Sequence, residues 1–389
     1  MLFTKPPQGS LILILDIQSS LVRASLVYVE ENVLPRIVHT YHKNIGSRPG
    51  SGSSRIIHTT LEALKEIMGN VYHFINLEVH KDKFPKKIKE AHFVLSSPWV
   101  ISQAKTLTQK FEQNVQVSEK LILDLISKER TNFLPESELE NNHVDIIEQK
   151  IFNVRLNGYP VADWKDKKTK ELEISFAVSV AGSNTEELFR DACTIVPRSH
   201  VHFHSSLLLQ HIALRQIMPH QAAYTLVHVH GELTDVAVVN RHSCIFFGSY
   251  PVGAFTVVRR IARESNTDLE VADSAVKLCA DNCFDTTHGT GKDISAVQAG
   301  GEYWGREMQK MFATVQPPVG LPAHTILCGH VHESFFVESL KAAYPGTQIE
   351  MLTIEQIKPF VRYEAHEEPA RLSGLYTMAL YSIMRGAVI

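Results

Sequence analysis

Stretches Leu11 to Ile17, Leu21 to Glu30 and Val33 to His42 are dense in β-branched and apolar residues. Short polar turns separate them, which predicts three consecutive strands. A Gly- and Ser-rich loop from Gly46 to Ser54 follows. Ile56, Leu61, Leu64, Ile67 and Met68 then recur at helical spacing, predicting a helix over Arg55 to Leu77. Lysines crowd the stretch from Lys81 to Lys89, which reads as solvated surface. A second unit is expected from about Ala91. It has a strand at Phe93 to Ser97, a helix at Ser118 to Lys128 with Ser118 as N-cap, and a loop at Pro135 to Asn142. Strands at Val144 to Leu156 and Leu172 to Ala181 and a helix at Asn184 to Cys193 complete it. A third unit opens near His200 with strands Tyr224 to Val229, Asp235 to Asn240 and Ser243 to Tyr250. Helices at Gly253 to Arg263, Asp268 to Ala280 and Ser295 to Phe312 come next. The strand Thr325 to Cys328 then leads through Gly329 into a helix ending near Ala343, and a helix from Ala370 to Ile383 closes the chain.

Twice, then, an apolar strand ends in a polar turn, returns as two more strands and gives way to helices. That echo predicts a duplicated α/β architecture with a cleft between the halves. The 389 residues are 44% hydrophobic and 21% charged, a composition that supports sizeable cores and excludes disorder as the main state. With 39 basic and 42 acidic residues the net charge is −3, so no basic excess marks a nucleic-acid binder. Five scattered cysteines read as reduced and cytoplasmic. The run Leu11 to Leu15 stops at Asp16, too short for a membrane span and lacking a cleavage site, so a buried strand is expected. No other stretch reaches the length of a spanning helix.

Chemistry is expected at three strand ends. The first turn is Asp16-Ile17-Gln18-Ser19-Ser20, with Arg23 on the returning strand. The second runs from His228 through Val229, His230, Gly231, Glu232 and Leu233 to Thr234 and Asp235. The third is Cys328-Gly329-His330. Together with the stretch Tyr250 to Thr256 and the closing Gly374-Leu375 helix, these turns resemble the two phosphate hairpins and the adenosine loop of actin-like ATPases. Within that superfamily they resemble the FtsA and PilM branch. The segment Ile151 to Tyr159 resembles part of the domain that FtsA inserts into its first half. The resemblance implies an actin-like, ribonuclease H-like α/β fold of two duplicated halves with a small inserted α/β domain. The expected division is 1–88 for the first half, 89–198 for the insert, 199–365 for the second half and 366–389 for a closing helix.

It further implies ATP and magnesium held by Asp16, Ser19, Ser20, Arg23, Gly231, Thr234, Asp235 and Gly329, with Asp16 ordering a magnesium-bound water and the turn backbones cradling phosphates. The motifs depart from the family pattern. Gln18 stands where a glycine lets the backbone approach phosphate, and a side chain there obstructs that approach. His228 replaces the acidic start of the second turn, and Glu232 brings negative charge to it. At the third loop only Gly329 is retained. These departures point to a degenerate site with weak or no ATPase activity. The leading expectation is a cytoplasmic FtsA-like scaffold or adaptor of cell division, with protein partners and possible self-association. A PilM-like platform for type IV pilus assembly, gripping the N-terminal peptide of an inner-membrane partner, is the first alternative. The chain ends a few residues after the closing helix, without a basic amphipathic tail. Attachment to the inner membrane is therefore expected through a partner, with Asn157, Gly158 and Tyr159 as the expected docking residues. A working actin-like ATPase is the second alternative.

The chain has 20 histidines, several spaced at i, i+2: 200/202/204, 228/230 and 330/332. On a strand this spacing puts imidazoles on one face, as metal ligands require. A metal-binding alternative thus rests on His228, His230, His330 and His332. The run Gly329 to His332 also resembles a metallophosphoesterase element, but two ligand groups of that family are missing, so that enzyme reading is rejected.

Overall fold

The computed structural model describes residues 9–47, 53–77, 84–85, 87–133, 143–241, 243–282, 291–314, 322–329, 332–364 and 370–386. The first half begins with strands β1 (Ser10–Ile17), β2 (Leu21–Val29) and β3 (Arg36–Asn44), helix α1 (Ser53–Asn76) and β4 (Ile88–Leu95). The inserted unit contains β5 (Val100–Gln116), α2 (Glu119–Phe133), β6 (Val144–Leu156), β7 (Tyr159–Pro160), β8 (Lys168–Gly182) and α3 (Ser183–Ala192). The chain returns through β9 (Val201–Ser205) and α4 (Ser206–Ile217). The second half has β10 (Tyr224–Val229), β11 (Thr234–Asn240), β12 (Ser243–Tyr250), α5 (Ala254–Ser265), α6 (Leu269–Asn282) and α7 (Gly291–Thr314). It ends with β13 (His324–Gly329), α8 (Glu333–Ala343), β14 (Gln348–Met351), α9 (Ile354–Ile357), β15 (Arg362–Tyr363) and α10 (Arg371–Met384).

The expected duplication is visible in the strand orders. One sheet runs β15-β3-β2-β1-β4-β9 and the other β12-β11-β10-β13-β14. In each, a three-stranded antiparallel meander continues into two strands parallel to its first member. β1 is apolar without alternation because both its faces are covered. Ile12 and Ile14 enter the core between the two sheets, whereas Leu11, Leu13 and Leu15 pack with Leu64 and Ile67 of α1. Helices α4 and α10 fill the space between the sheets, with Leu208, Ile212, Leu375 and Ala379 in one buried cluster with Ile12 and Leu226. The outer face of the second sheet is covered by α5, α7 and α8. The insert has its own four-stranded sheet, β5-β8-β6-β7, and a separate core in which Ile122 and Ile126 of α2 meet Ile174 and Phe176.

Several expectations need correction. The strand placed at the head of the insert is β4, which pairs with β1 and β9 in the first sheet; a division at 89 cuts through it. The first strand of the insert is instead β5, which alternates polar and half-buried residues and pairs along β8. β9, expected in the second half, and β15, expected before the closing helix, both hydrogen-bond into the first sheet. Such memberships depend on which edge a returning strand meets, which chain order does not specify. Ser118 does cap α2, its Oγ accepting from the Leu121 amide at 3.1 Å. The loop expected at Pro135 to Asn142, and much of the lysine-rich stretch after Leu77, lie outside the described residues.

Leu13 is fully buried in the central strand, so Leu13→Ala leaves a cavity and is expected to lower stability by about 2–5 kcal/mol. Leu278→Ala, at a side chain 72% exposed, should stay within about 0.5 kcal/mol. Urea unfolding of the two variants provides the check.

Candidate functional site

The turns after β1 and β10 are built alike. Gln18 N donates to Leu21 O and His230 N donates to Leu233 O, each at 2.9 Å, so both hairpins close identically. Asp16 pairs across its ladder with Arg23, and His228 with Asp235. His228 therefore occupies in the second half the place that Asp16 holds in the first, and His230 the place of Gln18. The two hairpins meet in the cleft. The Glu232 amide donates to Ser19 Oγ at 3.0 Å, and His230 Nδ1 lies 3.5 Å from Gln18 Oε1. A Cβ added at Gly231 would come within 3.0 Å of Ser20 Cβ, so only glycine permits this approach. Asp16, Gln18, Ser19, Ser20, His228, His230 and Asp235 are all buried.

Their polar atoms are satisfied largely by one another. Gln18 Nε2 donates to both carboxylate oxygens of Asp16, at 3.2 and 3.0 Å, and Arg23 approaches Asp16 Oδ2 at 3.4 Å. His230 Nε2 donates to Asp235 Oδ2 at 2.9 Å, and the Ser97 amide, from the end of β4, reaches the same oxygen at 3.2 Å. His228 accepts from Gln210 Nε2 on α4 at 2.7 Å, and Gln210 also donates to Ser206, which bonds Tyr376 on α10. The Glu232 carboxylate is taken by Arg259 in a two-pronged pair at 3.0 and 2.6 Å. The N-terminal amides of α5 are spent on the second hairpin, Ala254 N on His230 O and Phe255 N on Gly231 O. Thr234 Oγ1 donates to Val252 O and accepts from Trp304 Nε1.

At the third loop the Gly329 amide donates to Glu333 Oε1 at 2.8 Å, and Arg371 of the closing helix grips the same carboxylate. The expected nucleotide residues thus converge as two hairpins plus Gly329; many of their polar groups are engaged internally, while Ser20 Oγ and Asp235 Oδ1 are buried without a hydrogen-bond partner among the described residues. Gln18, Glu232, Glu333 and Arg371 complete the arrangement. The sequence flagged the first two as departures and gave no signal for the second pair, which meets across 38 positions.

The histidines expected to hold metal are differently employed. His228 and His230 do share a face, their ring centroids 3.9 Å apart, but one is bound to Gln210 and the other to Asp235. His332 Nε2 lies 2.9 Å from Asp273 on α6, and His330 lies outside the described residues. Among the described residues no three His, Cys, Asp or Glu side chains converge to hold an ion. Asn157 and Gly158, expected to dock a partner, form the β6–β7 turn at positive φ, with Asn157 Oδ1 accepting from Thr169, Lys170 and Glu171. Tyr159 beside them is 75% exposed.

Burial raises the Asp16 carboxyl to about 6, against the opposing pull of Arg23, Gln18 and His230. At Asp235 burial also acts upward, but His230, Ser249 and Ser97 outweigh it and hold the carboxyl below its usual range. The Asp16 shift has a stability consequence. The folded chain binds this proton at higher pH than the unfolded one, so the stability that Asp16 contributes is present below about 4 and is lost as pH rises through about 6. Asp16→Asn is expected to remove this decline, on the order of 3 kcal/mol over the window. Denaturant unfolding of both proteins at pH 4.5 and 7 measures it; equal slopes would refute the burial argument.

No protein-family model matches the chain, and no curated protein matches it by sequence. Solved structures do. A chain of the PilM-PilN type IV pilus biogenesis complex superposes with a TM-score of 0.63 at 13% identity, covering 98% of this chain and 100% of that one. The ethanolamine utilization protein EutJ from Carboxydothermus hydrogenoformans gives 0.47 at 10% identity, covering 97% and 91%. A Bacteroides thetaiotaomicron protein described as having an actin-like ATPase fold and unknown function gives 0.40 at 10%, covering 93% and 95%. Joined to the duplicated sheet order and the paired hairpins, the first of these likenesses is one of fold along almost the whole chain. The chain has the actin-like ATPase fold.

Proposed function

We propose that this chain is a scaffold that holds a protein partner and does not turn over nucleotide. The observation that carries this reading is the direct bond between the hairpins, Glu232 N to Ser19 Oγ. Phosphates held between these turns would need that space and those amides. Binding nucleotide would mean separating buried groups that already satisfy one another, at the desolvation cost of each. The internal carboxylate on the Gly329 amide supports the same reading at the third loop.

For the partner we propose the groove between β6 and α4, a cavity of about 880 Å³. Phe152, Trp164 and Ile212 give it an apolar wall, Arg215 and Arg241 line it with positive charge, and no Asp or Glu is among its described lining residues. Such a groove suits an extended peptide with apolar side chains and a carboxylate. The adjoining β6 edge is paired by β7 only at Arg155 and Leu156. The PilM-PilN likeness supports a PilN-type protein of pilus assembly as the partner, which would keep this chain at the cytoplasmic face of the inner membrane. Among the described residues no helix is long and apolar enough to cross a membrane itself. Asn157, Gly158 and Tyr159 directly precede the lining residue Pro160, and in this reading the exposed Tyr159 is the side chain among them that contacts the partner. The cell-division adaptor role expected first gains no observation of its own.

Two measurements test the proposal. Calorimetry and thermal shift with millimolar MgATP are expected to show neither heat nor stabilisation; micromolar binding that Asp16→Ala abolishes would overturn the scaffold reading. Ala162→Glu with Arg241→Glu, at two exposed positions lining the groove, is expected to weaken binding of a PilN-type N-terminal peptide at least about tenfold. Unchanged affinity would move the partner elsewhere.

A further inference from the structure

Asp235 is anchored in the cleft through one of its two carboxylate oxygens. Oδ2 accepts from His230 Nε2 and from the Ser97 amide, whereas Oδ1 is buried and has no hydrogen-bond donor among the described residues. Burial drives this carboxyl upward, but His230, Ser249 and Ser97 outweigh it, so the group is ionised and both oxygens act only as acceptors. Asp235 also lines a cavity of about 10 Å³, room for one water-sized molecule. The other polar walls come from all three units of the chain. They are Ser97 after β4, Ser102 on β5 of the insert, Ser205 at the end of β9, and Ser249, which stands opposite Asp235 on β12. The buried side chains of Leu207 and Phe247 add apolar wall.

Each serine hydroxyl has one hydrogen to give. Ser97 Oγ donates to Val100 O at 3.3 Å, so Ser249 supplies the hydrogen in the 2.6 Å contact between the two serines. Ser102 Oγ donates to Ser205 Oγ at 2.9 Å, so Ser179 on β8 supplies the hydrogen in its 2.9 Å contact with Ser102. Two groups on the cavity wall are then left over. Ser205 keeps a hydrogen with no acceptor among the described residues, and Asp235 Oδ1 has no donor. We infer that the cavity is a binding site for a single water molecule, which accepts from Ser205 Oγ and donates to Asp235 Oδ1 and Ser249 Oγ. Three bonds are the usual complement of a buried water. A monovalent cation in the same place would satisfy the carboxylate but could not accept the Ser205 hydrogen.

The water joins separate hydroxyl contacts into one line. It runs from Asp235 of the second half, through Ser205 at the edge of the first sheet, to Ser102 and Ser179 of the insert. Without it a carboxylate oxygen and a hydroxyl hydrogen stay unpaired in the interior, each at its desolvation cost. Ser249 is exposed on the edge strand β12, which gives the site a route to solvent.

The test combines a crystal structure of the full chain, at a resolution that orders internal water, with urea unfolding of Ser205→Ala, Ser249→Ala and the double variant. One water peak about 2.8 Å from both Asp235 Oδ1 and Ser205 Oγ is expected; a site without density would overturn the inference. The two serines share the water and make no direct bond, so losing the second should cost less once the first is gone. Their effects on the unfolding equilibrium constant are expected to fall short of the product by at least about threefold, and effects that simply multiply would count against a shared water. Stability should be equal in sodium, potassium and choline chloride at matched ionic strength. Selective stabilisation by sodium or potassium that Asp235→Asn abolishes would overturn the water and make this a cation site.

Discussion

Two turns touch across the cleft, and the arrangement of the halves follows from that contact. Seven polar residues of the hairpins and their flanks are withdrawn from water there, and each buried polar atom costs free energy until a partner is found. Some partners lie in the same hairpin, as Gln18 does for Asp16 and His230 for Asp235, and three links cross between the halves: Ser19 receives the Glu232 amide, Gln18 faces His230, and Ser97 donates to Asp235. Pulling the halves apart would expose these groups in pairs. A domain rotation therefore works against several bonds at once, and the closed form needs no ligand to hold it.

Duplication explains how such a contact arises. Each half ends its first strand in a tight turn at the same place, so a pseudo-symmetric pair of turns faces inward. The side chains at equivalent places then diverged in charge. Asp16 with Arg23 forms one buried ion pair, and at the matching positions stand His228 and Asp235, the latter satisfied by His230. Gln18 and His230, one from each half, are the residues that meet. Where a glycine would leave a channel for anionic oxygens, two side chains fill it and bond.

The remaining sites follow the same economy. Carboxylates that would repel phosphate are neutralised from within: Glu232 by Arg259, and Glu333 by Arg371 with the Gly329 amide. The insert, by contrast, is joined to the first sheet through protonatable groups, and it leaves an open, positively lined groove against α4. Buried polar links are thus concentrated at the cleft, and the open groove lies at the insert.

Much of this was legible in the chain. The apolar runs and turn residues at Leu11 to Arg23 and Tyr224 to Asp235 specify two hairpins, because strand burial and tight turns are local demands on adjacent residues. Gln18 and Glu232 announce an altered site for the same reason: a side chain in a turn has its steric and charge consequences wherever the turn lies. The sequence could not say that β4 and β9 belong to one sheet, that β5 begins the insert, or that a ring nitrogen of His92 on β4 comes within 3.1 Å of one of His204 on β9. Those pairings join residues up to 112 positions apart and depend on which edges meet when the cores close. Nor could it say that the two hairpins touch, since a bond from Glu232 to Ser19 exists only once both halves have packed around α4 and α10.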